Sequence, residues 1–199
     1  APRELSVQQA VAVNHPGRGE DFFATVINPN ASWAAFSFNY SFTSGGNSVS
    51  GARASYASPG ENSIVSFSSL PLPLSSIEVR LENIRWMKLV SPRDKDRLKL
   101  FSVTTHDAVF IEGDKQESID MVRAHIINNT AFSFWSVPVI ALVYDNGALK
   151  AVGEGSIDRF LAGEDRELEI GLGITDINKA SVIQLIPRVN VLDGSALMI

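Results

Sequence analysis

The 199-residue chain has no cysteine. That absence removes disulfides, zinc–thiolate sites, iron–sulfur clusters and thiol nucleophiles together, while leaving the compartment open. Basic charge is also short: 17 Lys and Arg stand against 22 Asp and Glu, a net charge of −5. A nucleic-acid partner wants a basic patch to neutralise phosphates, so none is expected. The densest basic stretch, Arg93 to Arg97, is broken by Asp94 and Asp96 and reads as a solvated linker. Long hydrophobic runs are missing too. A membrane helix needs about 20 apolar residues, whereas the most apolar stretch, Val137 to Tyr144, has strand length and contains Pro138. Ala1-Pro2-Arg3 offers neither an initiator methionine nor an apolar signal core behind it. Membrane attachment is therefore expected only through an anchor or export signal upstream of Ala1.

What is present begins with a repeat. Val26-Ile27-Asn28-Pro29-Asn30-Ala31 is echoed by Ile126-Ile127-Asn128-Asn129-Thr130-Ala131. Further on, Gly45-Gly46-Asn47 answers to Asn146-Gly147-Ala148, and Pro59-Gly60-Glu61 to Ala162-Gly163-Glu164. An offset near 100 residues marks a duplicated domain rather than a short-repeat solenoid. Hydrophobic content of 45% with 20% charge fits a folded globular protein. Two modules are expected, 1–90 and 98–199, joined by a linker at 91–97.

Period-two alternation dominates. Phe36, Phe38, Tyr40 and Phe42 alternate with Ser37, Asn39 and Ser41, which puts an aromatic row on one face of a strand. Phe22, Ala24 and Val26 form an earlier strand ended by Asn28-Pro29-Asn30. Strands are also expected over 49–56 and 63–67, with Leu70-Pro71-Leu72-Pro73 as an extended connector. Ile77, Val79 and Leu81 alternate until the phase slips at Asn83 and resumes at Ile84 and Trp86, the signature of a β-bulge; strand is preferred to the helix that the spacing of Ile77, Leu81 and Ile84 also permits. In the second half, 98–105, 108–112, 121–128, 139–144, 149–155, 167–172 and 181–191 read as strands, with Asn146-Gly147 as a hairpin turn and 158–161 as a single helical turn. Six or seven short strands per half, with turns every 8–12 residues, predict an all-β fold of two tandem immunoglobulin-like antiparallel β-sandwiches.

Asn28-Pro29-Asn30, the aromatic strand, and Pro59-Gly60-Glu61 resemble the FxLYD-type immunoglobulin-like module of exported bacterial and archaeal proteins. Val143-Tyr144-Asp145 stands where that module has Leu-Tyr-Asp, and Leu161-Ala162-Gly163-Glu164 matches its Leu-x-x-Gly-Glu turn. Over about 180 residues the chain is similar to tandem-module proteins of candidate-phylum bacteria (Patescibacteria, Parcubacteria-like). The matching residues are Arg85-Trp86, Asn128-Asn129-Thr130-Ala131-Phe132 and Asn190-Val191-Leu192-Asp193. The first module departs from the pattern, with Phe42-Thr43-Ser44 in place of Leu-Tyr-Asp. The resemblance implies export and surface exposure, and no activity.

No catalytic, cofactor-binding or metal-ligating set is expected. His15, His106 and His125 lie far apart in sequence and read as exposed or half-exposed. Gly153-Glu154-Gly155-Ser156 lacks the strand-to-helix elbow of a serine nucleophile. The acidic stretches Glu112-Gly113-Asp114 and 158–165 read as solvated loops, and Gly171-Leu172-Gly173-Ile174 is no phosphate loop. Sequons occur at Asn30, Asn39 and Asn128. Trp33 and Trp135 could form a sugar or partner platform, but plugging the open ends of the sandwiches is the favoured role. The expectation is a non-enzymatic, extracytoplasmic, cell-surface structural or interaction protein: a stalk, scaffold or adhesion module whose partners are other surface proteins or copies of itself. One alternative is a self-assembling surface or filament subunit joined by terminal strand addition. It would use Leu5, Val7, Val11 and Val13 at one end and Leu197, Met198 and Ile199 at the other. The second alternative is a carbohydrate-binding module.

Overall fold

A computed structural model describes residues 1–15, 19–69, 76–100, 102–112, 120–173 and 182–198. The chain divides into two units, Ala1–Asp96 and Arg97–Ile199. In the first, β1 (Ser6–His15), β2 (Gly19–Asn28) and β6 (Gly60–Ser68) form one antiparallel sheet in the order β1-β2-β6. In the other sheet β3 (Trp33–Ser44) is central, paired with β7 (Ile77–Lys88) and with β5 (Arg53–Ala57) and the short β4 (Asn47–Ser48). The second unit repeats this plan. Here β8 (Val103–Ile111), β9 (Met121–Asn128) and β12 (Asp165–Gly171) make one sheet in the order β8-β9-β12. In its other sheet, β10 (Ser133–Asp145) is central, paired with β11 (Ala148–Phe160), β13 (Val182–Pro187) and β14 (Leu197–Met198). Taken in chain order, β1, β2, β3, β5, β6 and β7 hold the same sheet positions as β8 to β13. The chain is therefore an all-β fold of two sandwich-like units with one topology.

Each core lies between its two sheets. In the first unit Phe22, Ala24 and Val26 of β2 meet Phe38, Tyr40 and Phe42 of β3. The Phe22 and Phe42 rings stack at 5.2 Å, and the Tyr40 hydroxyl crosses to donate to the Val65 carbonyl at 2.6 Å. Burying each such aromatic contributes about 1.5–3 kcal/mol. In the second unit Val122, Ala124 and Ile126 of β9 meet Val137, Val139, Ala141 and Val143 of β10. Gly153 and Gly155 bring β11 against β12: a Cβ on Gly153 would lie 2.6 Å from the Ile170 side chain, and one on Gly155 2.9 Å from it.

The repeated asparagine forms the same corner twice. Asn28 is 2% exposed; its Nδ2 donates to the carbonyls of Trp33 (2.8 Å) and Ala57 (3.1 Å), and its Oδ1 accepts from the Asn30 backbone N–H (3.0 Å). Asn128 is fully buried; its Nδ2 donates to Phe132 (2.8 Å) and Leu161 (2.9 Å), and its Oδ1 accepts from the Thr130 N–H (3.1 Å) and hydroxyl (2.6 Å). Buried polar groups need such partners. One amide thus ties the end of its own strand to the start of the next and to a third strand end.

Several expectations are corrected. Of the aromatic row, Phe38, Tyr40 and Phe42 face the core, but Phe36 does not. The pairing of β3 slips between Ala35 and Phe38, so Ala35 takes the inward place. The segment read as a solvated linker contains a helix, α1 (Pro92–Leu100). Ser91 Oγ accepts the Asp94 N–H at 3.1 Å and the Asp94 carboxylate accepts the Ser91 N–H at 3.3 Å, a capping box with proline at the first helical position. The stretches 98–105 and 108–112 do not form two strands. Leu98 is in α1, and β8 is one strand bent by an extra residue after His106. Residues 158–160 are strand, with Arg159 at φ 53°, not a helical turn. The connector 70–73, Ser181, Gly113, Asp114 and Ile174 lie outside the described residues.

Candidate functional site

The first candidate surface is the seam where β1 and β7 form the free edges of the two sheets. Its sequence pattern put Leu5, Val7, Val11 and Val13 on one face. The structure separates them. Gln8 is an extra residue in β1, since the pairing with β2 slips between Val7 and Gln9. A bulge of one residue reverses the inside–outside phase beyond it. Leu5, Val7, Ala10 and Ala12 therefore pack on the first core, while Val11 and Val13 alternate away from it. At the bulge, Val7, Gln8, Gln9 and Ala10 line a groove of ≈ 420 Å³ against Ile77, Glu78 and Val79. At the other terminus Leu197 packs on the second core and Met198 pairs with Ser133, so β14 is a strand of its own sheet. Ile199 lies outside the described residues.

Trp33 and Trp135 do not occupy equivalent places. Trp33 pairs with Lys88, whose Nζ lies 5.9 Å from its ring centroid, whereas Trp135 is 52% exposed. An end-plug role does not fit a half-exposed ring. Of the sequons, Asn30 and Asn128 spend their Nδ2 groups on buried hydrogen bonds, leaving no room for a glycan; Asn39 is exposed.

The second candidate is a cluster that spacing along the chain concealed. On the outward face of β8-β9-β12, His106 and His125 are directly paired across the ladder, and their rings stack at 5.1 Å and 21°. Asp165, two positions along β12 from the residue opposite His125, reaches both. Its Oδ1 is 3.0 Å from His125 Nδ1 and its Oδ2 3.4 Å from His106 Nε2. Nitrogen and oxygen donors of the three residues lie within 4.8 Å of one another. Asp107, at φ 52° in the bulge after His106, places Oδ2 2.7 Å from His106 Nδ1. That hydrogen bond holds the His106 imidazolium above its ordinary range, opposed by partial desolvation and reinforced by Asp165. Beside the cluster Arg123 bonds Glu169 at 2.8 Å, a solvated pair worth little in stability.

His15, expected at the surface, is buried and holds Asp21 at 2.7 Å. The sequence signal for the outward pair was the register itself: His125 lies on the Arg123–Ile127 row, and only knowledge of the bulge brings His106 opposite it. No protein-family model matches the chain, and no curated protein matches it.

Proposed function

We propose that the chain is a non-enzymatic structural or interaction protein of the extracytoplasmic surface, built from tandem immunoglobulin-like modules and serving as a stalk, scaffold or adhesion part. The observation that supports this reading is the use made of the repeated motifs. Asn28 and Asn128 clamp corners, Asn146-Gly147 turns a hairpin with both residues at positive φ, and Gly153 and Gly155 admit Ile170. Glu164 of the Leu-x-x-Gly-Glu turn accepts the Leu161 N–H at 2.8 Å. What the two halves share is spent on folding, leaving recognition to the surfaces in which they differ. Partners are then other surface proteins or copies of this chain.

Protease shaving and surface biotinylation of intact native cells test the placement. Labelling at exposed lysines, with a cross-linked partner, is expected; recovery solely from the cytoplasmic fraction overturns it. The groove at the β1–β7 seam favours, as a second reading, assembly by strand addition. Light scattering is then expected to show a mass rising with concentration and reduced by Gln8→Pro. A constant monomer mass overturns assembly.

A further inference from the structure

The outward cluster on β8-β9-β12 is informative because of how its groups are oriented. Asp107 Oδ2 accepts from His106 Nδ1 at 2.7 Å. A carboxylate on one ring nitrogen fixes the tautomer and leaves the lone pair on the other, the arrangement found behind metal-bound imidazoles. That other nitrogen, Nε2, is shielded from solvent although the side chain is 39% exposed, and it finds no hydrogen-bond partner among the described residues. It faces the Asp165 Oδ2 at 3.4 Å. In the neutral ring that lone pair, turned on a carboxylate oxygen, is repulsive unless a proton or a metal cation lies between them. The spacing is close to the separation of two donors on a tetrahedral zinc ion, about 3.3 Å for bonds of about 2.0–2.1 Å.

His125 supplies a second imidazole, its ring stacked on that of His106, its Nδ1 3.0 Å from Asp165 Oδ1, and one donor from each of the three residues lies within 4.8 Å of the others. The bulge is part of the construction. The extra residue after His106 supplies Asp107 as the orienting carboxylate, and bulges commonly re-aim side chains in this way.

We propose that His106, His125 and Asp165 form a binding site for a divalent transition-metal ion of the imidazole-preferring kind, zinc first, with Asp107 as the positioning residue and the remaining coordination position open. Two imidazoles and one carboxylate select zinc, copper or nickel over magnesium and calcium, which prefer all-oxygen shells. Because the three ligands come from three adjacent strands, the ion ties one whole sheet of the second unit together.

The test uses the full chain without an affinity tag, stripped of metal by chelator and titrated with zinc chloride. Calorimetry is expected to give one ion per chain. In the unmodified protein, imidazole NMR signals of His106 and His125 are expected to shift on zinc addition, while the buried His15 remains an unmoved internal reference. His106→Gln and His125→Gln are each expected to weaken binding at least tenfold, and Asp107→Asn about 10–100-fold, with folding of each variant checked by its amide spectrum. The proposal is overturned if saturating zinc leaves both rings unmoved, as it would if a proton on Nε2 bridges the carboxylates instead. It is equally overturned if affinity survives the double His106→Gln, His125→Gln change.

Discussion

Asn128 serves the Phe132 and Leu161 carbonyls with one amide group and receives two further donors on its buried oxygen. Buried groups left unpaired cost about 1–3 kcal/mol each, so Asn128→Ala is expected to destabilise its unit by about 3 kcal/mol, measured by urea denaturation. Glu164 holds the neighbouring turn. Its carboxylate sits below its ordinary 4.5, chiefly through the Leu161 N–H and then Arg166. A group lowered on folding contributes stability above its unfolded value and loses it as pH falls through the folded one. Glu164→Gln is expected to cost about 0.5–1 kcal/mol at neutral pH, given solvent screening, and to flatten the stability curve on the acid side of 4.5. Both residues were legible in the sequence as repeats, because the same backbone corner recurs. Their bonding partners were not, since Phe132 and Leu161 meet only after three strands have closed around them.

Elements were legible wherever alternation ran unbroken, and misread where one residue was inserted. The slip at Asn83 was visible because the apolar phase changes around it: Leu81 and Ile84 both face the core, and Asn83 has φ 53°. The slips at Gln8 and near Phe36 were hidden, because valine, alanine and phenylalanine stand on both sides and either phase looks apolar. Helix α1 was missed for a different reason. Its charged composition reads as solvated chain, yet Ser91-Pro92-Arg93-Asp94 spells a capping box. Ser91→Ala is expected to cost about 1 kcal/mol of local helix stability, seen as roughly fivefold faster amide exchange at Asp94 and the residues after it.

At the scale of the whole molecule, each unit has its own two sheets and its own core. Near 100 residues is enough chain to fold alone. The division between the units falls inside α1, whose Leu98 packs on the second core, so a cut before Ser91 keeps the helix whole with that contact. Fragments 1–90 and 91–199 are each expected to give amide NMR spectra that overlay on their half of the full chain; a collapsed spectrum from either would contradict self-sufficiency. The three indoles are unevenly shared: Trp33 and Trp86 belong to the first unit, half-buried, and Trp135 to the second, half in water. Intrinsic emission will therefore follow mainly the melting of the amino-terminal half, while circular dichroism weighs both halves equally. Where the two halves melt at different temperatures, the two optical signals will part company on heating even when neither half passes through a partly folded state.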